Sequence, residues 1–356
     1  MKKLLVFLGV VLTAIGSAGW AQEVDSTATL QKSSWGDAQE TEVDGFIPEI
    51  SLDMRGGYAQ DFSEGTGRFF GDGLYLDING TIGRGFSYSV NHRIASSYYE
   101  DNAGFNGTNW LTLTYEIGDF AFTAGKDGLL VGSFEYDAYD LDAYASMNSM
   151  FYNMLDCWQW GVYGTWYPAE DHEISIQVAN SPFSYGEPDL FAYAAAWRGA
   201  WDFYESYWTV NLWQTEDRSF VKSLNLGNRF YLGGLTLDVD YMTRSVDFNG
   251  LFTKDFTLVT APSYNIADRL RLFGKFGWEH TADDLPYELA YEECLGSDYL
   301  FYGAGLEFFP IKESSDVRLH IAWTGNNFGG NMLNVGFTWK MNLTGTIKNL
   351  FTRLNR

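Results

Sequence analysis

Apolar and polar residues alternate along most of the chain from Ile47 onward. In residues 111–117, 174–178 and 235–241, every second side chain is apolar and the side chains between them are polar or charged. A period of two is the signature of a β-strand, whose successive side chains point to opposite faces. The pattern therefore predicts strands that each have one apolar and one polar face.

Runs of this kind recur sixteen times along the chain. The predicted strands cover residues 48–60, 70–82, 85–97, 108–117, 119–127, 157–167, 172–181, 190–200, 205–214, 220–232, 235–245, 254–264, 268–280, 298–309, 316–325 and 331–341. Tight turns are predicted at 84, 117–119, 233–234 and 265–267, and longer loops at 98–107, 128–156, 246–253 and 281–297. An even number of strands, with short turns at one end and longer loops at the other, is typical of bacterial outer-membrane barrels.

A soluble β-sandwich is the alternative fold for an alternating pattern. Its inner face would hold Asp77, Asp238, Asp240 and Arg271, and burying such groups without partners costs about several kcal/mol each. The same side chains cost little if they face a water-filled lumen. The pattern therefore favours an all-β fold, a transmembrane antiparallel β-barrel of about 16 strands.

The first residues have the layout of a secretory signal peptide. Lys2 and Lys3 precede an apolar run at 4–15, and the small residues Gly19 and Ala21 follow it. The run is short for a membrane-spanning helix, which needs roughly 20 apolar residues. The expected organisation is a cleaved signal peptide at 1–21, a flexible periplasmic leader at 22–46, the transmembrane barrel at 47–341 and a periplasmic C-terminal tail at 342–356. Export and strands together predict the bacterial outer membrane, with its lipid as a partner.

Composition and charge narrow the functional classes. Aromatic residues make up 18% of the chain, and Trp and Tyr collect at membrane–water interfaces. The formal net charge of −23 argues against a nucleic acid as partner, because binding a polyanion depends on Lys and Arg. The four histidines are scattered and none lies beside a cysteine, so neither a metal site nor a cofactor is expected.

The strand count also bears on function. Barrels of about eight strands are filled by side chains, whereas about 16 strands leave an aqueous channel. The leader is too short to be a folded plug domain. The sequence therefore predicts a porin that lets small hydrophilic solutes or ions diffuse passively, with the long loop 128–156 as its constriction.

The charges of this loop suggest an ion preference. Residues 127–197 contain no Lys or Arg but eleven acidic residues. The candidate constriction residues are Glu135, Asp137, Asp140 and Asp142. A negative ring at this point would favour cations. The predicted basic positions on the pore wall are Arg229, Arg269, Arg271, Lys275 and Arg318, with Arg55, Arg93 and Arg198 as further candidates. Such charges either create a transverse field or merely solvate the lumen, and both interpretations stay open.

Other features leave alternatives. Cys157 and Cys294 both fall on the predicted outer side, so a disulfide between two outer loops is a hypothesis. The acidic loop at 281–297 could hold Ca²⁺ loosely. His280 with Asp283 and Asp284 could activate water in an outer-membrane hydrolase, and a surface adhesin is a further alternative.

The segment 122–137, FTAGKDGLLVGSFEYD, resembles the phosphate-selective porin O/P-like barrels, especially the forms in Bacteroidetes. The resemblance rests on a strand that ends in a Gly-Lys turn and leads through Gly and Glu into the third loop. It implies a 16-stranded porin that forms a homotrimer. The family's anion selectivity implies Arg and Lys in the constriction, and this loop has none. The resemblance therefore implies the fold and the channel, and phosphate binding is not carried over to Lys126.

Overall fold

The structure, a computed structural model, describes residues 48–94, 107–139, 142, 144, 147–184, 189–312 and 314–345. The predicted signal peptide, leader and most of the C-terminal tail lie outside the described residues, as does Asp140. Within the described part of the chain, no helix is both long and apolar enough to cross a membrane.

Sixteen antiparallel strands form one closed sheet. They are β1 Glu49–Asp61, β2 Thr66–Gly83, β3 Phe86–Arg93, β4 Thr108–Ile117, β5 Phe120–Gly128, β6 Trp158–Ala169, β7 His172–Asn180, β8 Phe191–Trp201, β9 Tyr204–Gln214, β10 Phe220–Leu232, β11 Leu235–Ser245, β12 Phe256–Ala267, β13 Leu270–His280, β14 Asp298–Phe308, β15 Val317–Asn326 and β16 Asn331–Asn342. Each strand pairs with its neighbours in the chain, and β1 pairs with β16 to close the ring. The predicted strand number and antiparallel barrel are confirmed.

The register places polar side chains inside the barrel and apolar ones outside. On β7, for example, Ser175 and Gln177 are buried and face the lumen, whereas Ile176 is 64% exposed on the outer surface. Every strand is hydrogen-bonded on both edges. A closed sheet of this kind satisfies its backbone groups without water, which is the condition for crossing a bilayer with strands.

The two ends of the barrel differ. One end has short turns, several of which have only two residues between the strands, as between β2 and β3. There Gly83, Arg84 and Gly85 all have positive φ, of 91°, 55° and 80°, and glycine adopts this region without steric cost. The opposite end has the longer connections, including residues 129–157 and 281–297. This asymmetry agrees with the sequence pattern.

Aromatic side chains surround both ends of the outer surface. Near the short turns, Phe120 and Trp166 stack with their ring centroids 6.5 Å apart. Toward the long loops, the exposed Tyr302 and Trp323 have their ring centroids 5.6 Å apart. Two such belts flank the apolar band of outer-membrane barrels, where aromatic rings sit at the headgroups.

The main hydrophobic core lies inside the barrel, toward the end with the long loops. Two short helices, α1 Phe134–Asp137 and α2 Met150–Met154, belong to the loop between β5 and β6. Phe151 of α2 packs with Trp213 and Met242 of the wall and with Phe183 and Leu289 of the outer loops. The loop between β5 and β6 and the outer loops therefore fold together as one unit.

Candidate constriction in the barrel lumen

The loop between β5 and β6, residues 129–157, is called the inner loop below. Its backbone is held by side chains that face the lumen from β7 and β9. Leu130 N–H donates to Gln177 Oε1 on β7 at 2.9 Å, and Gly132 N–H donates to Thr209 Oγ1 on β9 at 2.9 Å. A Cβ atom at Gly132 would lie only 2.6 Å from Thr209 N. The loop therefore crosses the lumen in close contact with the wall, and glycine is required at this approach.

Asp240 on β11 fixes the start of α1. Its carboxylate accepts hydrogen bonds from Ser133 Oγ at 2.9 Å, from Phe134 N–H at 3.1 Å and from Glu135 N–H at 2.8 Å. The first N–H groups of a helix have no partner within the helix, and a carboxylate there satisfies them. One wall carboxylate thereby satisfies three donors of the inner loop.

Glu279 on β13 does the same for α2. It accepts from Met150 N–H at 2.7 Å and from Phe151 N–H at 3.2 Å. The Arg244 guanidinium lies 3.6 Å from Glu279 Oε1, pairs with Asp255, and stacks on the Phe151 ring with 4.5 Å to the centroid. Arg244 and Glu279 are both fully buried.

The predicted loop acids reach basic side chains on the wall. Glu135 pairs with Lys275 at 2.6 Å, and Asp137 pairs with Arg198 at 2.7 Å. These contacts bring β13 and β8 to α1. Sequence reasoning named these loop acids as a negative ring, but both of them make direct ion pairs.

Asp142 makes the third set of pairs, on the other side of the lumen. It lies 2.8 Å from Arg318 Nη1 and 3.1 Å from Lys340 Nζ. Burial alone would raise the pKa of the Asp142 carboxyl, but Lys340 and Arg318 outweigh this effect and hold its pKa below the ordinary value. Lys340 was missing from the predicted wall, although its position in the alternation of β16 indicates an inward side chain.

The other predicted basic residues divide into two groups. Arg229 pairs with Asp238 at 2.6 Å, and Arg271 pairs with Glu307, so both belong to the inner wall. Arg269 does not, and its prediction as a wall residue is wrong. Strand β12 continues to Ala267, so Arg269 lies in the following tight turn, exposed, where its guanidinium contacts the Pro310 carbonyl.

Sequence reasoning missed the partners of Tyr139, which extends from the inner loop toward β1 and β2. Its hydroxyl lies 3.3 Å from Asp53 Oδ2 and 3.3 Å from Asp77 Oδ2. Further along, the Tyr144 hydroxyl donates to Glu307 at 3.0 Å. The alternation places these acids inside, but no local pattern indicates which loop residue meets them.

The predicted disulfide is not formed, and both Cys157 and Cys294 are thiols. Cys157 precedes β6, where its carbonyl accepts from Leu129 N–H at 2.8 Å. Cys294 lies in the connection between β13 and β14, and β14 is eight positions from β6 in the ring of sixteen. The two cysteines therefore sit on opposite sides of the barrel. Burial and nearby acidic groups raise the pKa of the Cys294 thiol to about 11.

The suggested hydrolytic group does not assemble around His280. Its Nδ1 lies 2.8 Å from Asp298, whereas Asp284 pairs with Lys254 at 3.0 Å. Among the residues that the structure describes, no three His, Cys, Asp or Glu side chains are arranged to hold a metal ion.

A closed sixteen-stranded barrel with a polar, charged lumen and an apolar outer belt defines the class of this protein. This architecture is that of the porin-type barrels of bacterial outer membranes. A family model described as "Phosphate-selective porin O and P" matches residues 61–207, from the end of β1 into β9 and including the inner loop. The match confirms the family resemblance that the sequence indicated.

Solved structures agree on the fold. The outer membrane channel DcaP of Acinetobacter baumannii is 13% identical, with a TM-score of 0.61 over 83% of this chain and 97% of that chain. OmpT of Vibrio cholerae with loop L8 deleted is 12% identical, with a TM-score of 0.59 over 83% of this chain and 99% of that one. A Rhodopseudomonas blastica porin variant is 11% identical, with a TM-score of 0.56 over 83% and 100%. No curated protein matches the chain.

Proposed function

We propose that the inner loop is a fixed constriction in a passive diffusion channel for small hydrophilic solutes and ions. The observation that carries this proposal is the way the loop is held. Its helices are fixed by Asp240 and Glu279, and its acids pair with basic side chains on β8, β13, β15 and β16. A segment with this many anchors narrows the lumen permanently and does not act as a mobile lid.

The pairing changes the expected origin of ion preference. The described loop acids are compensated by basic partners, so their charges largely cancel. Four lumen-facing carboxylates are instead held, among the described residues, by hydrogen bonds and not by basic side chains: Asp53, Asp77, Asp127 and Asp240. These four wall carboxylates are therefore the proposed source of a modest preference of the channel for cations.

Phosphate selectivity is not part of the proposal. The wall residues Arg198, Arg229 and Arg318 are engaged by carboxylates at 2.6–2.8 Å. A guanidinium already paired in this way offers little to a second anion. The family description is therefore extended to this chain only as a channel.

The reversal potential in a planar bilayer under a KCl gradient, with a chelator present, tests the ion preference. The unaltered protein should prefer K⁺. Asp137→Asn should shift the preference toward Cl⁻, because it removes the nearer of the two carboxylates beside Arg198 and leaves Glu173 at 3.6 Å. The double variant Asp137→Asn with Arg198→Gln removes the pair without changing net charge, and should restore the original preference. A double variant that loses cation preference would instead assign selectivity to the loop acids, and an anion-selective unaltered protein would refute the proposal.

The remaining parts of the proposal concern catalysis, the oligomeric state and Ca²⁺ binding. Among the described residues, His280 pairs with Asp298 and Asp284 pairs with Lys254, so the predicted hydrolytic group is not assembled and the proposal is a channel without catalysis. A homotrimer, implied by the family resemblance, is part of the proposal and is tested by the native mass of the detergent-solubilised protein. Loose Ca²⁺ binding at the acidic outer loop stays a proposal, and one of the variants below bears on it.

A further inference from the structure

Two carboxylates on adjacent strands converge beneath the inner loop. Asp53 on β1 and Asp77 on β2 are 6% and 8% exposed, and the Tyr139 hydroxyl lies 3.3 Å from an oxygen of each. Together with Asn91 on β3, these residues are called the Asp53–Asp77 site. The site faces the lumen and lies next to the Lys340–Asp142 ion pair of the inner loop.

The site has fewer donors than its carboxylates require. Tyr139 has one hydroxyl hydrogen and can donate to Asp53 or to Asp77, not to both. Asn91 Nδ2 donates to Asp77 Oδ1 at 2.7 Å, and its own carbonyl accepts from Asn109 at 2.7 Å, which fixes the amide in this orientation. The Ser51 hydroxyl also donates to Asp53. Three neutral donors therefore serve two negative charges, and none of the three carries a positive charge.

One oxygen of the site has no partner. Asp53 Oδ1 is buried and makes no hydrogen bond in the structure. An unpartnered buried carboxylate oxygen costs free energy unless a proton or a cation meets it. This oxygen, on a side chain that is more than nine-tenths buried, indicates a missing positive partner.

The neighbouring basic residue is already committed. Lys340 lies over the Tyr139 ring with its Nζ 5.1 Å from the centroid, but its ion pair is with Asp142 at 3.1 Å. Arg318, the other partner of Asp142, also contacts Glu307 at 3.2 Å. These pairs leave negative charge in excess at Asp53 and Asp77.

We propose that Asp53 and Asp77 bind a hard divalent cation of the calcium class within the lumen. Carboxylates, with neutral oxygens and water completing the shell, are the ligands such cations prefer. The Asp53 carboxylate would contribute its unpartnered Oδ1, Asp77 would contribute Oδ2, and the Tyr139 oxygen lies between them. With only two carboxylates, the affinity should resemble that of weak extracellular sites, roughly 10⁻⁴–10⁻³ M.

Terbium luminescence on the full-length folded protein in detergent tests this inference. Tb³⁺ substitutes for Ca²⁺ and is sensitised by nearby aromatic rings, and Trp110 lies 6.4 Å from Tyr139, centroid to centroid. Ca²⁺ in the millimolar range should displace the Tb³⁺ signal. Asp53→Asn and Asp77→Asn should each weaken Ca²⁺ competition at least about tenfold, the smallest loss typical of residues that only support a metal's ligands.

Two variants serve as controls. Asp238→Asn alters another lumen carboxylate, one that is paired with Arg229, and should leave the affinity unchanged. Asp283→Asn alters the acidic outer loop and should leave the affinity of the Asp53–Asp77 site unchanged. If either Asp variant fails to fold, as judged by heat-modifiable gel migration, Tyr139→Phe keeps both carboxylates and should weaken binding by a smaller factor.

An unchanged Ca²⁺ affinity in folded Asp53→Asn and Asp77→Asn would overturn the inference, and a loss in Asp283→Asn alone would assign binding to the outer loop. Binding is measured without current. An anion-selective channel would therefore refute the proposed ion preference and leave this inference standing, and the failure of Ca²⁺ binding would leave the channel standing.

Discussion

The ends and the middle of the inner loop are held to the wall in different ways. At the ends, Ser133, Met150 and Phe151 have no measurable exposure. Wall carboxylates accept hydrogen bonds from the Ser133 hydroxyl and from the backbone N–H groups of Met150 and Phe151. In the middle, Asp142 makes its ion pairs with a side chain that is 35% exposed. When one partner of a buried contact is removed, the other group stays buried without a partner and destabilises the fold by its full desolvation cost. Exposed ion pairs are weaker, because water screens them. The buried contacts at the ends therefore fix the position of the loop, whereas the ion pairs in the middle mainly set the local charge of the lumen.

The largest effect should follow from Glu279→Ala. This change leaves Arg244 buried without one of its two carboxylates and leaves the first N–H groups of α2 without acceptors. Removing one partner from a buried charge pair typically costs about 3–5 kcal/mol. The midpoint of denaturant unfolding in detergent measures this loss. Glu292→Ala, in the exposed outer loop, is the control, and a change no larger than the control's would contradict the role of Glu279.

A smaller effect is expected from Asp240→Ala, which removes the acceptor of three donors at α1. Each buried group left unsatisfied costs about 1–3 kcal/mol, and movement of the loop end recovers part of it. Limited proteolysis should then cut the inner loop faster while the barrel stays closed. An unchanged cleavage rate in a folded variant would show that α1 is held by other contacts, such as Arg229 over the Phe134 ring at 4.2 Å.

The smallest effect on stability belongs to the middle of the loop. Asp142→Asn should cost no more than about 1 kcal/mol, as is usual for partly exposed pairs, but should raise the noise of the open-channel current. Because its pKa is held below the ordinary value, the contribution of Asp142 is present above the unfolded pKa and is lost as the pH falls through the lowered one. Acidification of the unaltered protein should thus reproduce the noise of the variant, and acid-induced noise of equal size in Asp142→Asn would exclude this carboxyl as its source.

The sequence was sufficient for the barrel because alternation reports which face of each strand is apolar. Exceptions such as Trp213 and Met242 lie where the strands meet the inner loop. One error came from a strand boundary. The turn was predicted at 265–267 instead of 268–269, which placed Arg269 in β13. Turn positions depend on where the chain leaves the membrane belt, which alternation does not record.

The arrangement in the lumen was less predictable, because its contacts join distant residues. Ser133 and Asp240 are 107 positions apart, and Asp142 and Lys340 are 198 apart. The residue types of the loop indicated its acidity, but not that Arg198 or Lys340 would meet those acids. Such pairs come together only when the ring of strands closes. The local sequence pattern therefore indicates which residues are charged, but not which of them form ion pairs.

The seam between β1 and β16 has a consequence for assembly. It joins residues 51–61 to residues 332–342, and Ile50 N–H donates to Thr344 Oγ1 across 294 positions of sequence. Until the last strand is available, β1 has an open edge of unpaired backbone groups, which lipid does not tolerate. Hairpins can form in order along the chain, but the first strand waits for the last. Truncation of β16 would therefore leave a chain with two open edges that cannot insert as a cylinder, however well its other strands are formed.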